Sequence, residues 1–101
     1  MRAKRPRRPA PLLDRLLHEP VRLAMVSALA AGSTLTFNDL KARVGATDGN
    51  LGVHARRLEA AGYVGCSKTF AGRVPRTEYR LTAKGRRAFD RYRIRMREIL
   101  G

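Results

Sequence analysis

A chain of 101 residues has room for one small domain with a single core, and its formal net charge of +14 suits a polyanionic partner, although charge alone does not separate DNA from RNA or anionic lipid. The single cysteine, Cys66, excludes an internal disulfide, and without a second Cys or His at ligand spacing it does not begin a zinc site. No run of about 18 apolar residues is available to span a membrane, and Asp14 and Arg15 interrupt the apolar stretch after the basic start, so neither a membrane partner nor a signal peptide is expected. A reducing, cytoplasmic compartment fits these properties.

Residues 1–11 carry Arg2, Lys4, Arg5, Arg7 and Arg8 among prolines. Such a segment has no apolar surface to bury and reads as a disordered basic arm, either tracking a DNA backbone or simply solvated. The folded domain is expected over 12–101. Its first helix is predicted over Leu12 to His18. Pro20 then opens a second helix at the position where its missing N–H costs nothing, and Gly32 closes it. Val21, Ala24, Met25, Ala28 and Leu29 recur there at helical spacing and mark the face turned to a core, with Arg22 off that stripe.

Thr36-Phe37-Asn38-Asp39 has the form of a capping box with Asp in place of Glu, and Phe37, Leu40 and Val44 supply the apolar face of a short helix. Gly45 permits a turn. Thr47 can cap a further helix over 48–61, with Asp48 favoured in its first turn by the helix dipole and Gly62 suited to a left-handed C-terminal residue. Leu51, Ala55 and Leu58 step by four and three residues and share an inward face. Gly49, Val53 and Arg56 point away from it, flanked by Asn50, Gly52 and Arg57. Asn can bond adenine bidentately, Arg can bond guanine or phosphate, and Val53 can meet a thymine methyl. Two glycines on that face cost about 1 kcal/mol each in helix propensity but allow close approach to a groove.

Tyr63 to Phe70 is β-prone, and Thr77 to Leu81 alternates, with Thr77, Tyr79 and Leu81 on one face. Two strands joined by a loop over Ala71 to Arg76 are predicted, a basic hairpin whose Lys68, Arg73 and Arg76 can reach phosphates beside the main contact. The whole is a helix-turn-helix with a wing over 68–77. A helix shaped for the major groove and a strand pair for the flanking backbone point to double-stranded DNA. Thr82 can cap a last helix, in which Phe89, Tyr92, Met96 and Ile99 form an apolar stripe amid six arginines from Arg86 to Arg97. With Leu12, Leu13, Leu16 and Leu17 this is more apolar surface than one wing domain needs, so a homodimer through the N- and C-terminal helices is expected, which also suits paired half-sites.

At this point the chain resembles the winged helix domains of bacterial and archaeal regulators related to the MarR and ArsR families. The similarity lies in Pro20 to Ala24, Leu35 to Leu40, Thr47 to Leu51, Arg57 to Val64 and Tyr79 to Arg86, and covers about Leu12 to Leu100. It implies a dimeric transcriptional regulator with Thr47 to Arg57 as recognition helix and Lys68 to Arg76 as wing. Ala55 stands where such helices usually carry Leu, and Gly52 where a small hydroxyl residue is common, which implies a looser core and fewer base contacts. His54 resembles the histidine that often precedes the buried Leu in ArsR-type helices, and the metal-sensing cysteines of many such relatives are absent.

Catalysis has little support, because no acid, nucleophile or phosphate-cradling loop accompanies His18 or His54. His54 reads as a packing or phosphate-contacting residue and Cys66 as core filler. The sequence therefore predicts a mainly α domain with a small β-hairpin wing, binding DNA without a cofactor or metal. The operator and any small-molecule effector are not legible in it. A non-specific architectural nucleic-acid binder, or a winged helix used for protein contacts, is the alternative of a different class.

Overall fold

A computed structural model describes residues 13–32 and 34–101. The basic arm over 1–11 and Leu12 lie outside the described residues. In chain order the elements are α1 (Pro20–Ala30), β1 (Leu35–Thr36), α2 (Phe37–Val44), α3 (Asp48–Ala60), β2 (Val64–Ala71), β3 (Val74–Leu81) and α4 (Ala83–Leu100).

The helix expected over Leu12 to His18 is not formed in its described part. The chain makes a single turn there, because Asp14 draws the backbone N–H groups of Leu16 and Leu17 onto its carboxylate at 2.9 and 3.3 Å. An Asp that bonds its own backbone in this way competes with helix propagation. Pro20 completes the interruption: the residue before a proline is driven from the helical region, and Glu19 is extended, with φ −153° and ψ 132°. Glu19 instead caps α1, accepting the Arg22 N–H at 2.7 Å. The apolar side chains still find cover, since Leu17 is fully buried and Leu13 and Leu16 pack against the core.

The middle of the chain follows its caps. Thr36 accepts the Asp39 N–H at 3.0 Å while Asp39 accepts the Thr36 N–H at 3.2 Å, so the capping box closes with aspartate in the acidic role. These same Thr36 groups hold the Asp39 carboxyl below its ordinary range. Gly45 ends α2 at φ 76°, in the left-handed region where a Cβ is disfavoured. Gly62 does the same after α3 at φ 78°. Between them, Leu51, Ala55 and Leu58 of α3 are buried as expected, and α1 buries Met25, Val26 and Leu29. Val26 lies outside the predicted stripe because α1 meets α2, α3, α4 and β3 and is covered over more than one face.

The sheet is larger than the hairpin expected, with three antiparallel strands in the order β1-β3-β2. The short β1 adds Leu35 opposite Tyr79 and Thr36 opposite Glu78. The hairpin is also longer, and its loop shorter, than predicted: β2 and β3 pair as far as Ala71 with Val74, leaving only Gly72 and Arg73 as the loop. Pro75 is tolerated inside β3 because β1 ends before reaching it, so that edge of β3 has no ladder at Pro75 for a missing N–H to break. Val64 and Tyr79 seat the root of the sheet in the core, whereas Ser67 to Arg76 is exposed.

Seven large side chains, Leu17, Met25, Val26, Leu29, Leu40, Leu51 and Leu58, are less than 2% exposed. At about 1.5–3 kcal/mol for each fully buried aliphatic chain, they are the main apolar contribution to the fold. α4 closes this core with Ala88 and Tyr92. Its first turn is fixed at the sheet root, where Thr82 donates its N–H to Tyr63 O at 3.0 Å and its hydroxyl contacts Gly62 O and Tyr63 O.

Candidate nucleic-acid interface

The outward face of α3 is built by local rules. The Thr47 hydroxyl accepts the Asn50 N–H at 3.2 Å and starts the helix. Inward anchoring by Leu51, Ala55 and Leu58 then turns Gly49, Asn50, Val53, Arg56 and Arg57 to solvent, with Val53 44% exposed. Gly49 has no side chain and faces open space, where a Cβ would meet nothing within 4 Å, so the helix surface is low there. At Gly52 a Cβ would lie 3.5 Å from Arg56 Nη1. The Arg56 guanidinium thus lies back over Gly52, toward the N-terminal half of the helix, where base contacts of such helices concentrate.

Asp48 sits at the same end, exposed, with its carboxylate 2.6 Å from Lys41 Nζ. The pair ties α2 to α3 and neutralises the one acid at the front of the helix. Being solvent-exposed it contributes only about 0–1 kcal/mol to stability, so its main effect here is on local charge. In the wing, Lys68, Arg73 and Arg76 are all exposed. Arg76 lies 3.5 Å from Glu78, and Arg73 occupies the two-residue loop at the apex.

Behind α3 is a polar clamp that the helical stripe of α1 did not reveal. Arg22 is half-buried, donating from Nε to Leu16 O and from Nη1 to His54 Nδ1 at 2.8 Å. Arginine has no lone pair to offer, so Nδ1 of His54 must be the acceptor and its ring proton is on Nε2. That nitrogen faces Glu19 Oε2 at 3.7 Å. His54 is therefore turned away from the outward face of α3 and joins it to the start of α1. Side chains spaced 32 residues apart leave no local signature, and an Arg off the apolar stripe reads as solvated. His18 makes a comparable link, with Nδ1 2.8 Å from the Tyr92 hydroxyl.

Cys66 lies on β2 against the core, opposite Tyr79. Burial, with help from Glu59, pushes its thiol pKa up, the wrong direction for a reactive thiolate. Among the described residues no cluster of His, Cys, Asp and Glu has the form of a metal site, and no described helix is long and apolar enough to cross a membrane.

Of the described residues expected at a dimer interface, Ile99 alone is left exposed. Leu13, Leu16, Phe89 and Met96 are half-buried against the protomer's own core, and Tyr92 is 5% exposed within it. Ile94, Ile99 and Leu100 remain 52%, 48% and 74% exposed. The uncovered apolar surface of α4 is thus at its far end, and includes Ile94 and Leu100, which the predicted stripe omitted.

Comparison with known proteins agrees with this arrangement. Residues 21–100 match the family model described as a winged helix DNA-binding domain. An uncharacterised protein of Methanocaldococcus jannaschii is 37% identical over 79 residues, 77% of this chain and 85% of the relative. A solved transcriptional regulator homologue from Pyrococcus horikoshii superposes with a TM-score of 0.79 at 30% identity, over 84% of each chain. A MarR-family regulator from Silicibacter pomeroyi shares the fold at a TM-score of 0.67 and 24% identity, over 82% of this chain and 55% of its own. With a family match spanning α1 to α4, and a helix-turn-helix and wing in place, the chain belongs to the winged helix DNA-binding domain family.

Proposed function

We propose that this winged-helix protein is a transcriptional regulator that binds duplex DNA as a homodimer, inserting α3 into the major groove and resting the β2–β3 wing on flanking backbone. The observation that carries the reading is the outward face of α3, where Asn50, Val53, Arg56 and Arg57 stand exposed on a helix whose surface is low at Gly49. Arg57 and Asn50 supply bidentate base contacts, Val53 an apolar one, and Thr47 and Asp48 lie at the end of the helix nearest the groove. Lys68, Arg73 and Arg76 contribute phosphate contacts that set register. The exposed end of α4 around Ile99 and Leu100 meets a second copy, placing two copies of α3 on two half-sites. Such a protein works on chromosomal DNA in the cytoplasm.

The test is the ratio of affinity for duplexes selected from the source genome to that for random duplex at one fixed salt concentration. A regulator gives about 10³ or more. Equal affinity for both would leave a non-specific architectural binder in its place.

A further inference from the structure

We propose that the tip of the β2–β3 hairpin is an apolar wedge that enters the minor groove and unstacks a base step, so that the protein bends the DNA it binds. This rests on the reading of the chain as a duplex-DNA binder. The last two rungs before the loop are wholly apolar, Phe70 opposite Pro75 and Ala71 opposite Val74. Neighbouring rungs of a strand pair present opposite faces, so these pairs put apolar side chains on both sides of the hairpin. Phe70 is 72% exposed and Val74 65% exposed. Neither belongs to the core or to the apolar groups packed on it.

Reach and charge both favour a nucleic acid as the occupant. β2 is exposed from Ser67 to Ala71, four steps of about 3.3 Å that carry the tip roughly 13 Å past the Ser67–Glu78 rung, where β1 makes its last pair. Arg73 is at the apex and Lys68 and Arg76 form a cationic collar below, with Arg76 3.5 Å from Glu78 and Asp39 of α2 bordering the same side of the hairpin. Phosphates flanking a groove match that collar. Two strands about 4.8 Å apart with side chains on both faces exceed a minor groove about 6 Å wide. Entry therefore requires the groove to open, as it does when an apolar side chain wedges between bases and kinks the duplex toward the major groove. A flexible pyrimidine–purine step lowers the cost of that deformation and is expected where the wing lands. Phe70 is also the cross-strand partner of Pro75, a pairing that can steady the hairpin, so the test separates that role from the wedge.

The experiment uses the full chain and a duplex of about 40 base pairs selected by it from a random-sequence pool. The duplex carries a fluorophore pair at its ends and 2-aminopurine at successive positions. Binding should raise end-to-end energy transfer and brighten 2-aminopurine at one step under each wing. Phe70→Ala should abolish both signals and weaken binding about tenfold, within the range for a lost aromatic–base stack, with the salt dependence unchanged because no charge is removed. Lys68→Ala, which removes a collar charge and leaves the apolar tip in place, should instead lower the salt slope by about one, and Phe70→Trp should retain the bend. An unaltered thermal transition for Phe70→Ala shows that the fold persists. Wild-type binding without bending or unstacking, or a Phe70→Ala protein that keeps both, overturns the wedge and leaves DNA recognition standing. A Phe70→Ala protein that bends normally but sediments at lower mass assigns the tip to a second copy and also overturns it. Failure of the wild type to bind any duplex removes both readings.

Discussion

Gly85→Ala is expected to destabilise the protein although it improves the helix. Gly85 is buried in the first turn of α4, and a Cβ there would overlap the Tyr63 carbonyl oxygen while lying 2.7 Å from Leu81 Cδ1 and 2.9 Å from Tyr63 C. The carbonyl has little freedom to retreat, because the Thr82 N–H and hydroxyl both contact it at 3.0 Å. Relief therefore comes from moving α4 off the sheet root. Overpacking costs about 1–3 kcal/mol, and weakening one or two hydrogen bonds adds about 0.5–1.5 kcal/mol each. Against this, Ala returns at most about 1 kcal/mol of helix propensity over Gly. The balance is a loss of roughly 2–3 kcal/mol, or a fall in Tm of about 10–20 °C for a domain of this size. Gly65→Ala is the control: the three atoms nearest its Cβ would all belong to the guanidinium of the exposed Arg80, at 2.6–2.8 Å, the far end of a flexible side chain that can swing away, and the cost should stay within about 0.5 kcal/mol. Paired denaturant and thermal melts measure both. A Gly85→Ala protein as stable as wild type would refute the close docking of α4 on Tyr63.

Two further outcomes concern assembly and pH. Ile99→Asp should yield monomers by light scattering without loss of fold, since Ile99 is 48% exposed on the protomer; an intact dimer would move the interface away from the end of α4. Tyr63 and Tyr79 are each pushed up to about 12 from 10.0, first by burial, then by Asp14 beside Tyr63 and by Cys66 and Glu59 beside Tyr79. A raised folded-state pKa favours the neutral form, so this part of the stability is complete below pH 10 and is lost as pH rises from 10 toward 12. Near-ultraviolet absorbance should show these phenols ionising late and together with unfolding. Ionisation at the ordinary value in the folded protein would contradict their burial.

Features written in neighbouring residues were legible in the sequence. The Thr36–Asp39 box, the Thr47 cap, Gly45, Gly62 and the inward triad of α3 each depend on side chains within about a turn of one another, where spacing carries the information. What depends on distant partners was not. β1 has two residues, too few for an alternating pattern, and pairs only because β3 offers it a free edge. The leucines around Asp14 look helical, but Asp14 and the bond it receives from the Tyr63 hydroxyl decide the conformation there. Pro75 read as a loop residue because nothing local reveals that its strand edge is unpaired. In the site, the outward residues of α3 were visible from periodicity, whereas the Glu19–Arg22–His54 clamp spans two helices and was not. The apolar hairpin tip was hidden by the assumption that residues 71–76 form a loop.

The central claim, that α3 reads base edges in the major groove, is tested most directly by guanine N7 methylation interference on a selected duplex, comparing wild type with Arg57→Ala. N7 lies in the major groove, where a bidentate Arg contact to guanine is worth about 1–3 kcal/mol. Methylation of particular guanines should block the wild type, and Arg57→Ala should bind more weakly by that amount and become indifferent to one of them. Binding that ignores N7 methylation throughout, with Arg57→Ala unchanged in affinity and sequence preference, would contradict the account.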